Sequence, residues 1–159
     1  ENLVFYANKA SGPRMWSALS DMKDFKMGIT EDYLYNNELA AYIKEGKNVV
    51  EAKTDVDNFN ALIDGDIDVF PIDELTGWYL LERDFNDAER DEISAIEPIL
   101  STVTTHLLVP KGRDNRLVLE LFNKGLQELK RDGSLDKFKR LLREGYYQDP
   151  KKPVDFDRR

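Results

Sequence analysis

The spacing of apolar and polar positions divides the first part of the chain into short apolar runs that alternate with stretches of helical period. Residues 3–7, LVFYA, form a continuous apolar run, too unbroken for a half-exposed hairpin strand and suited to a buried one. A Ser11-Gly12-Pro13 turn follows, then a weak helical turn over 15–22 through Trp16, Leu19 and Met22. Residues 25–29 predict a short strand leading into Thr30-Glu31-Asp32-Tyr33. From 36 to 45 the spacing of Leu39, Ala40, Tyr42 and Ile43 is helical, with Gly46 as a left-handed C-terminal stop. Residues 49–52 predict a strand. Thr54, with Asp57 three residues on, opens the next helix as a capping box, its apolar face is Val56, Phe59, Leu62 and Ile63, and Gly65 ends it.

The stretch GDIDVFPIDELTGWYLL, residues 65–81, predicts a strand that stops at an acid. The apolar run 67–71, interrupted by Asp68, passes through Ile72 into Asp73, after which Leu75, Trp78, Tyr79 and Leu81 have helical spacing. Asp73 therefore falls at the carboxyl end of a strand and at a helix N-terminus. Two roles stay open on these residues alone: a cap for the orphan N–H groups of the first turn, or a ligand contact of the kind open α/β sheets place there.

The strand–helix alternation over 25–81 implies crossover connections and a largely parallel sheet covered by helices. Residues 82–92 read as a solvated helix end and loop. Two strands are predicted next, 93–96 and 103–109, separated by Pro98 and a Ser/Thr cluster. The longest helical pattern spans 115–131 with Val118, Leu121, Phe122, Leu126 and Leu129 on one face, and Asp132-Gly133 stops it. Ser134 is read as the cap of a last helix whose face is Leu135, Phe138, Leu141 and Leu142. Beyond Gly145 the tail has prolines and charges without a period, and reads as extended against the surface or disordered.

A chain of 159 residues, 41% apolar and 34% charged, suffices for one domain with a real core or for two small lobes. Its net charge of −8 and dispersed Lys and Arg argue against nucleic acid as a partner. The densest basic group, Lys137, Lys139, Arg140 and Arg143, is read as the wet face of a helix. With no cysteine there is no disulfide, thiolate metal site or cysteine nucleophile, and His106, the single histidine, cannot build a histidine metal site; it is read as structural. No metal or cofactor is expected. No run approaches the ~18 apolar residues of a membrane helix. The start at Glu1, without a charged-then-apolar segment, is read as removal or omission of something upstream.

In order, GDIDVFPIDELTGWYLL, a strand, THLLVPKG and LFNKGLQELKRDGSLDKFKRLL resemble the second half of a periplasmic solute-binding protein of the amino-acid-binding type. The pattern G-x-I-D-x-x-x-x-D stands at 65–73 and N-K-G-L-x-x-L-K-x-D-G at 123–133. KMGITEDYLYNNELAAYIKEG, 26–46, is similar to the strand, loop and helix that open the second lobe in that family. The resemblance covers about residues 3–142 and implies a type II periplasmic-binding-protein-like α/β fold: a parallel-rich sheet with flanking helices, and two lobes joined by two crossing strands that close on a ligand by a hinge motion. It implies that 1–24 are the first crossing strand and the approach to lobe two, 25–100 lobe two, 101–145 the return crossing strand and C-terminal helices of lobe one, and 146–159 a tail. The first half of lobe one, including the family's Arg for an α-carboxylate, has no counterpart in the sequence. Each Leu or Phe is worth ~1.5–3 kcal/mol when buried, so another copy, a second chain or a rearranged packing, such as a domain-swapped dimer, is expected over the last two helices.

The resemblance assigns Asp73 as the carboxylate that accepts hydrogen bonds from a ligand ammonium, with Tyr33, Thr30, Glu31 and Tyr35 as further ligand-binding residues. Where many relatives carry a Gly followed by Thr or Ser hydroxyls, this chain has Asp32, Tyr33 and Leu34. Tyr33 and Tyr35 match a Tyr-x-Tyr version in which a ring stacks on the ligand and a hydroxyl donates; packing of the loop on its lobe explains them equally well. Glu31 and Asp32 favour a cationic ligand or are simply solvated. Trp16 and Trp78 are read as core. Glu31, Asp32 and Asp73 come with no nucleophile and base, metal cluster or phosphate loop, so no catalysis is expected. The implied function is capture of a small polar, amino-acid-like ligand outside the cytoplasm, in the periplasm, for an ABC-type membrane permease. The alternatives are a ligand-sensing module of a receptor and a non-binding assembly domain. The expected partners are the small polar ligand, the permease or receptor, and a homo-oligomer or second chain, with no nucleic acid.

Overall fold

The structure is a computed structural model that describes residues 1–46, 48–143 and 146–148. Its contacts divide the chain into two units, Glu1–Thr104 and Thr105–Arg159.

In the first unit, the apolar run predicted at 3–7 is buried on both faces, and that explains its lack of alternation. Strand β1 (Asn2–Asn8) sends Val4 and Tyr6 into one core cluster and Phe5 and Ala7 into another, all four at 5% exposure or less. The remaining elements are a 3-10 turn (Leu19–Met22), β2 (Met27–Thr30), α1 (Asn37–Glu45), β3 (Val49–Ala52), α2 (Asp55–Asp64), β4 (Val69–Asp73), α3 (Glu74–Asp84), α4 (Asp87–Asp91) and β5 (Ile93–Thr102). They form one sheet of order β3-β2-β4-β1-β5. β2 pairs in parallel with β3 and β4, while β1 pairs antiparallel with β4 and β5. Four strands thus run one way and β1 alone runs against them. Helices flank this mixed sheet, as the strand–helix alternation implies.

One core centres on Phe59 of α2, whose ring meets Tyr6, Phe70 and Phe85 edge-on at centroid distances of 5.4, 4.9 and 5.8 Å. Phe85 is the buried residue of the polar stretch 82–92, which forms the end of α3 and the short α4, not a loop. The other core holds Met22, Met27, Leu39, Val69 and Ile96, with Trp16 edge-on to Phe5 at 5.3 Å. The acid that interrupts the apolar run, Asp68, accepts a hydrogen bond from the Lys26 N–H at 2.8 Å and so ties the approach to β2 to that of β4.

Caps define the helix ends. Thr54 Oγ1 accepts from the Asp57 N–H and the Asp57 carboxylate accepts from the Thr54 N–H, both at 3.1 Å, and Gly65 ends α2 with φ 74°. Gly46 departs from expectation: its φ is −70°, extended and not left-handed. What demands glycine there is space, since a Cβ would lie 2.9 Å from both the Tyr42 carbonyl oxygen and Val49 Cγ2. The strand expected at 25–29 begins at Met27, with Phe25 packed beside the core. The strand expected at 93–96 runs on through Pro98 to Thr102, and 103–109, where a second strand was expected, contain none. The ladder to β1 shifts register between Leu3 and Phe5, opposite Pro98, a residue with no N–H to give. His106 accordingly stands in an exposed, irregular segment and not in a strand.

The second unit contains α5 (Arg113–Arg131), α6 (Ser134–Arg143) and a 3-10 turn (Tyr146–Gln148). Gly133 has φ 79°, and Ser134 is the first residue of α6, not its cap: its N–H donates to the Asp132 carboxylate at 2.9 Å. Leu117, Val118, Leu121 and Phe122 of α5 are exposed. The tail expected from residue 146, extended or disordered, instead begins with that 3-10 turn, and residues 149–159 lie outside the described residues.

Gly77 lets α3 close onto the sheet. A Cβ there would lie 2.4 Å from Tyr6 Cε2 and 3.1 Å from Ile72 Cγ2, and the Tyr6 ring is held by its hydroxyl, which donates to the Glu74 carbonyl at 2.9 Å. Gly77→Ala should lower stability by about 1–3 kcal/mol through overpacking, read as a lower urea midpoint with unchanged m-value; an unchanged midpoint would mean that the ring yields freely.

Candidate functional site

β1 runs against β4 and β5, so its amino end meets their carboxyl ends. Leu3 pairs with Asp73 on one side and with Ser101 on the other. Residues directly opposite in an antiparallel ladder project to the same face, and all three line a cavity of about 370 Å³. The loop after β2 contributes Tyr33, Leu34, Tyr35 and Asn36, and Glu1 and Val103 complete the lining.

Asp73 is the N-cap of α3. Its Oδ1 accepts from the Thr76 N–H and from Thr76 Oγ1, each at 2.9 Å. Its Oδ2 is buried and has no hydrogen-bond partner among the described residues, and the same holds for Ser101 Oγ. The cap role is therefore observed, and one carboxylate oxygen remains uncommitted beside the cavity.

The loop is fixed from behind by a network on α2. Thr30, buried, donates through Oγ1 to Asp55 Oδ1 at 2.7 Å and accepts from Asn58 Nδ2 at 3.0 Å. Tyr33 donates its hydroxyl proton to Asp55 Oδ2 at 2.9 Å, and the Tyr35 hydroxyl accepts from the Thr30 N–H at 3.1 Å. Asp55 is the first residue of α2, where the helix dipole favours a negative charge. Asp32 turns the loop with φ 62°, a left-handed conformation that Asp tolerates better than most residues. The two tyrosine rings lie 6.0 Å apart, tilted by 32°. Burial above all, then the bond to Asp55, pushes the Tyr33 phenol up to about 12. Burial also raises that of Tyr35, opposed in part by the Thr30 N–H.

Of the residues expected to bind ligand, the structure brings Asp73, Tyr33 and Tyr35 to one cavity. Thr30 stands behind the loop as part of its support. Glu31 is exposed, gives its N–H to the Ala52 carbonyl, and does not line the cavity. Sequence reasoning passed over Asp55 and Ser101. Asp55 carries a local signal, an acid one residue after the Thr54 cap. Ser101 carries none, because only its pairing with Leu3 brings it to the cavity. A second cavity of about 340 Å³, lined by residues such as Lys23, Tyr42 and Asn48, lies by the amino end of β3, away from the carboxyl ends where open α/β sheets bind ligands.

No protein-family model and no curated protein sequence matches the chain. Solved structures do. A substrate-binding domain assigned to an amino acid ABC transporter from Streptococcus pneumoniae is 20% identical, with 86% of this chain and 58% of that one covered and a TM-score of 0.65. The L-cystine solute receptor of Neisseria gonorrhoeae, unliganded and open, is 22% identical, with 86% and 53% covered and a TM-score of 0.63. The AvGluR1 ligand-binding domain in complex with phenylalanine is 17% identical, with 96% and 58% covered and a TM-score of 0.56. The chain spans little more than half the length of each. At this level of identity the likeness shows the fold: the chain has the type II periplasmic-binding-protein-like architecture, and the matched structures are binding proteins and receptor domains rather than enzymes.

The Tyr33–Asp55 bond is open to test by titration. The phenolate absorbance of the wild type minus that of Tyr33→Phe should rise near pH 12, and Asp55→Asn should move it down. The stability that the neutral phenol contributes is complete below the ordinary tyrosine value of about 10 and is lost as pH rises toward 12. A difference curve centred at the ordinary value would contradict the Tyr33–Asp55 bond.

Proposed function

We propose that this chain, with its type II periplasmic-binding-protein-like fold, is the ligand-binding part of an extracytoplasmic solute-binding protein that captures a small ammonium-bearing molecule and presents it to a membrane permease. The observation that carries this reading is Asp73 Oδ2, a buried carboxylate oxygen without a partner among the described residues, beside a cavity at the strand carboxyl ends. An ammonium supplies what that oxygen lacks, a charge-assisted donor, and the bond strengthens as water is excluded. The tyrosine pair adds apolar contact area on the loop side. In two-lobed proteins of this architecture a hinge closes the lobes over the ligand; in this reading the Glu1–Thr104 unit supplies one wall of the cleft. We read the site as one for binding, in keeping with the matched structures, which are binding proteins and receptor domains.

A sensing role is the second reading, favoured by the match to the AvGluR1 ligand-binding domain, which covers 96% of this chain. A permease gene beside this one favours transport; a membrane span followed by a signalling domain favours sensing.

Asp73→Asn separates cap from contact. Asn caps helices as well as Asp does, so the melting temperature should stay nearly unchanged. Ammonium binding should weaken by about 1.5–3 kcal/mol, the worth of a hydrogen bond to a charged group. A thermal-shift screen with amino acids, polyamines and organic acids reads both, since binding raises the melting temperature with ligand concentration. Equal affinity of wild type and variant for every hit would leave Asp73 as a helix cap only.

A further inference from the structure

Two buried side-chain oxygens lack a hydrogen-bond partner among the described residues, Asp73 Oδ2 and Ser101 Oγ, and the residues that carry them both line the same cavity. The sheet brings them together. Leu3 pairs with each, so the three side chains form a row across β4, β1 and β5 with Leu3 in the middle. Two strand spacings separate the outer pair, about 10 Å between their Cα atoms. A buried polar atom without a partner calls for an explanation, and two of them in one row over an apolar centre describe a complementary ligand. Asp73 Oδ2 only accepts; Ser101 Oγ accepts and donates.

The loop side narrows the chemistry further. The Tyr33 hydroxyl is committed to Asp55, and the Tyr35 hydroxyl already accepts from the Thr30 N–H. What these residues add is ring surface, which attracts a cation, and the O–H donor of Tyr35. Among the described residues the side chains that line the cavity include the carboxylates of Glu1 and Asp73 and no Lys or Arg, and the terminal ammonium of Glu1 is engaged with the Val103 carbonyl at 2.8 Å. A ligand carboxylate would meet like charge there.

We infer that Ser101 is a second ligand contact, and that the site takes an organic amine without an α-carboxylate, its ammonium on Asp73, its body over Leu3 and a second polar group at Ser101. This rests on the cavity being the ligand site, and it goes further by excluding the zwitterionic amino acids.

Calorimetric titration of the chain with paired probes tests it: tyramine against tyrosine, and cadaverine against lysine. Each amine should bind about tenfold or more tightly than its amino acid, because like-charge juxtaposition is strongly unfavourable. Ser101→Ala should weaken amine binding roughly three- to tenfold, and Ser101→Thr, which keeps the hydroxyl, should restore most of it. An amino acid that binds as tightly as its amine, through Asp73, overturns the ligand class and leaves the site standing. Amine binding lost in Asp73→Asn but unchanged in Ser101→Ala overturns the Ser101 contact. Failure of all four probes, or binding indifferent to Asp73→Asn, overturns the ligand site itself.

Discussion

β1 enters the sheet against the direction of its neighbours, and the rest of the first unit depends on that antiparallel insertion. Because β1 is buried on both faces, its four central residues split between two cores, Val4 and Tyr6 toward α2 and α3, Phe5 and Ala7 toward the opposite layer. Because it runs backwards, Leu3 lies between the ends of β4 and β5 and is flanked by Asp73 and Ser101. A parallel strand in the same place would bring its carboxyl end to that position, and the row of acid, alkyl group and hydroxyl would not exist. The pairing that closes the core also builds the cavity.

Around that row, structural roles and the proposed ligand-directed roles share residues. Asp73 uses one oxygen to start α3 and leaves the other uncommitted. Gly77, one turn into α3, allows that helix to lie against Tyr6. On the loop side, Asp55, Thr30 and Asn58 satisfy one another, and a buried polar network with its members paired holds the loop firmly. The tyrosines are thereby presented in a preset arrangement, which would lower the ordering cost of the proposed binding.

What was legible in the sequence was what local chemistry decides. The strand–helix alternation, the Thr54–Asp57 capping box, the left-handed Gly65 and the place of Asp73 at a strand end all follow from neighbours in the chain. The features that escaped are set by distant contacts. Gly46 is glycine because of how close Val49 comes, not because of its φ. Pro98 looked like a strand breaker, yet β5 runs through it where the ladder to β1 is irregular. Tyr33, Tyr35 and Asp73 were singled out from their motif and line one cavity, whereas Ser101 reaches it only through the register of a strand about a hundred residues away in sequence. The apolar face of α5 was also legible, and Leu121 remains 61% exposed.

The central claim is that the ligand sits on the Leu3 row, between the tyrosine loop and Asp73. Amide chemical-shift mapping during a cadaverine titration tests it most directly. The account predicts saturable changes concentrated in residues 33–36, 73–76 and 101–103. Changes centred instead on Lys23, Tyr42 and Asn48, around the cavity near the amino end of β3, would contradict it.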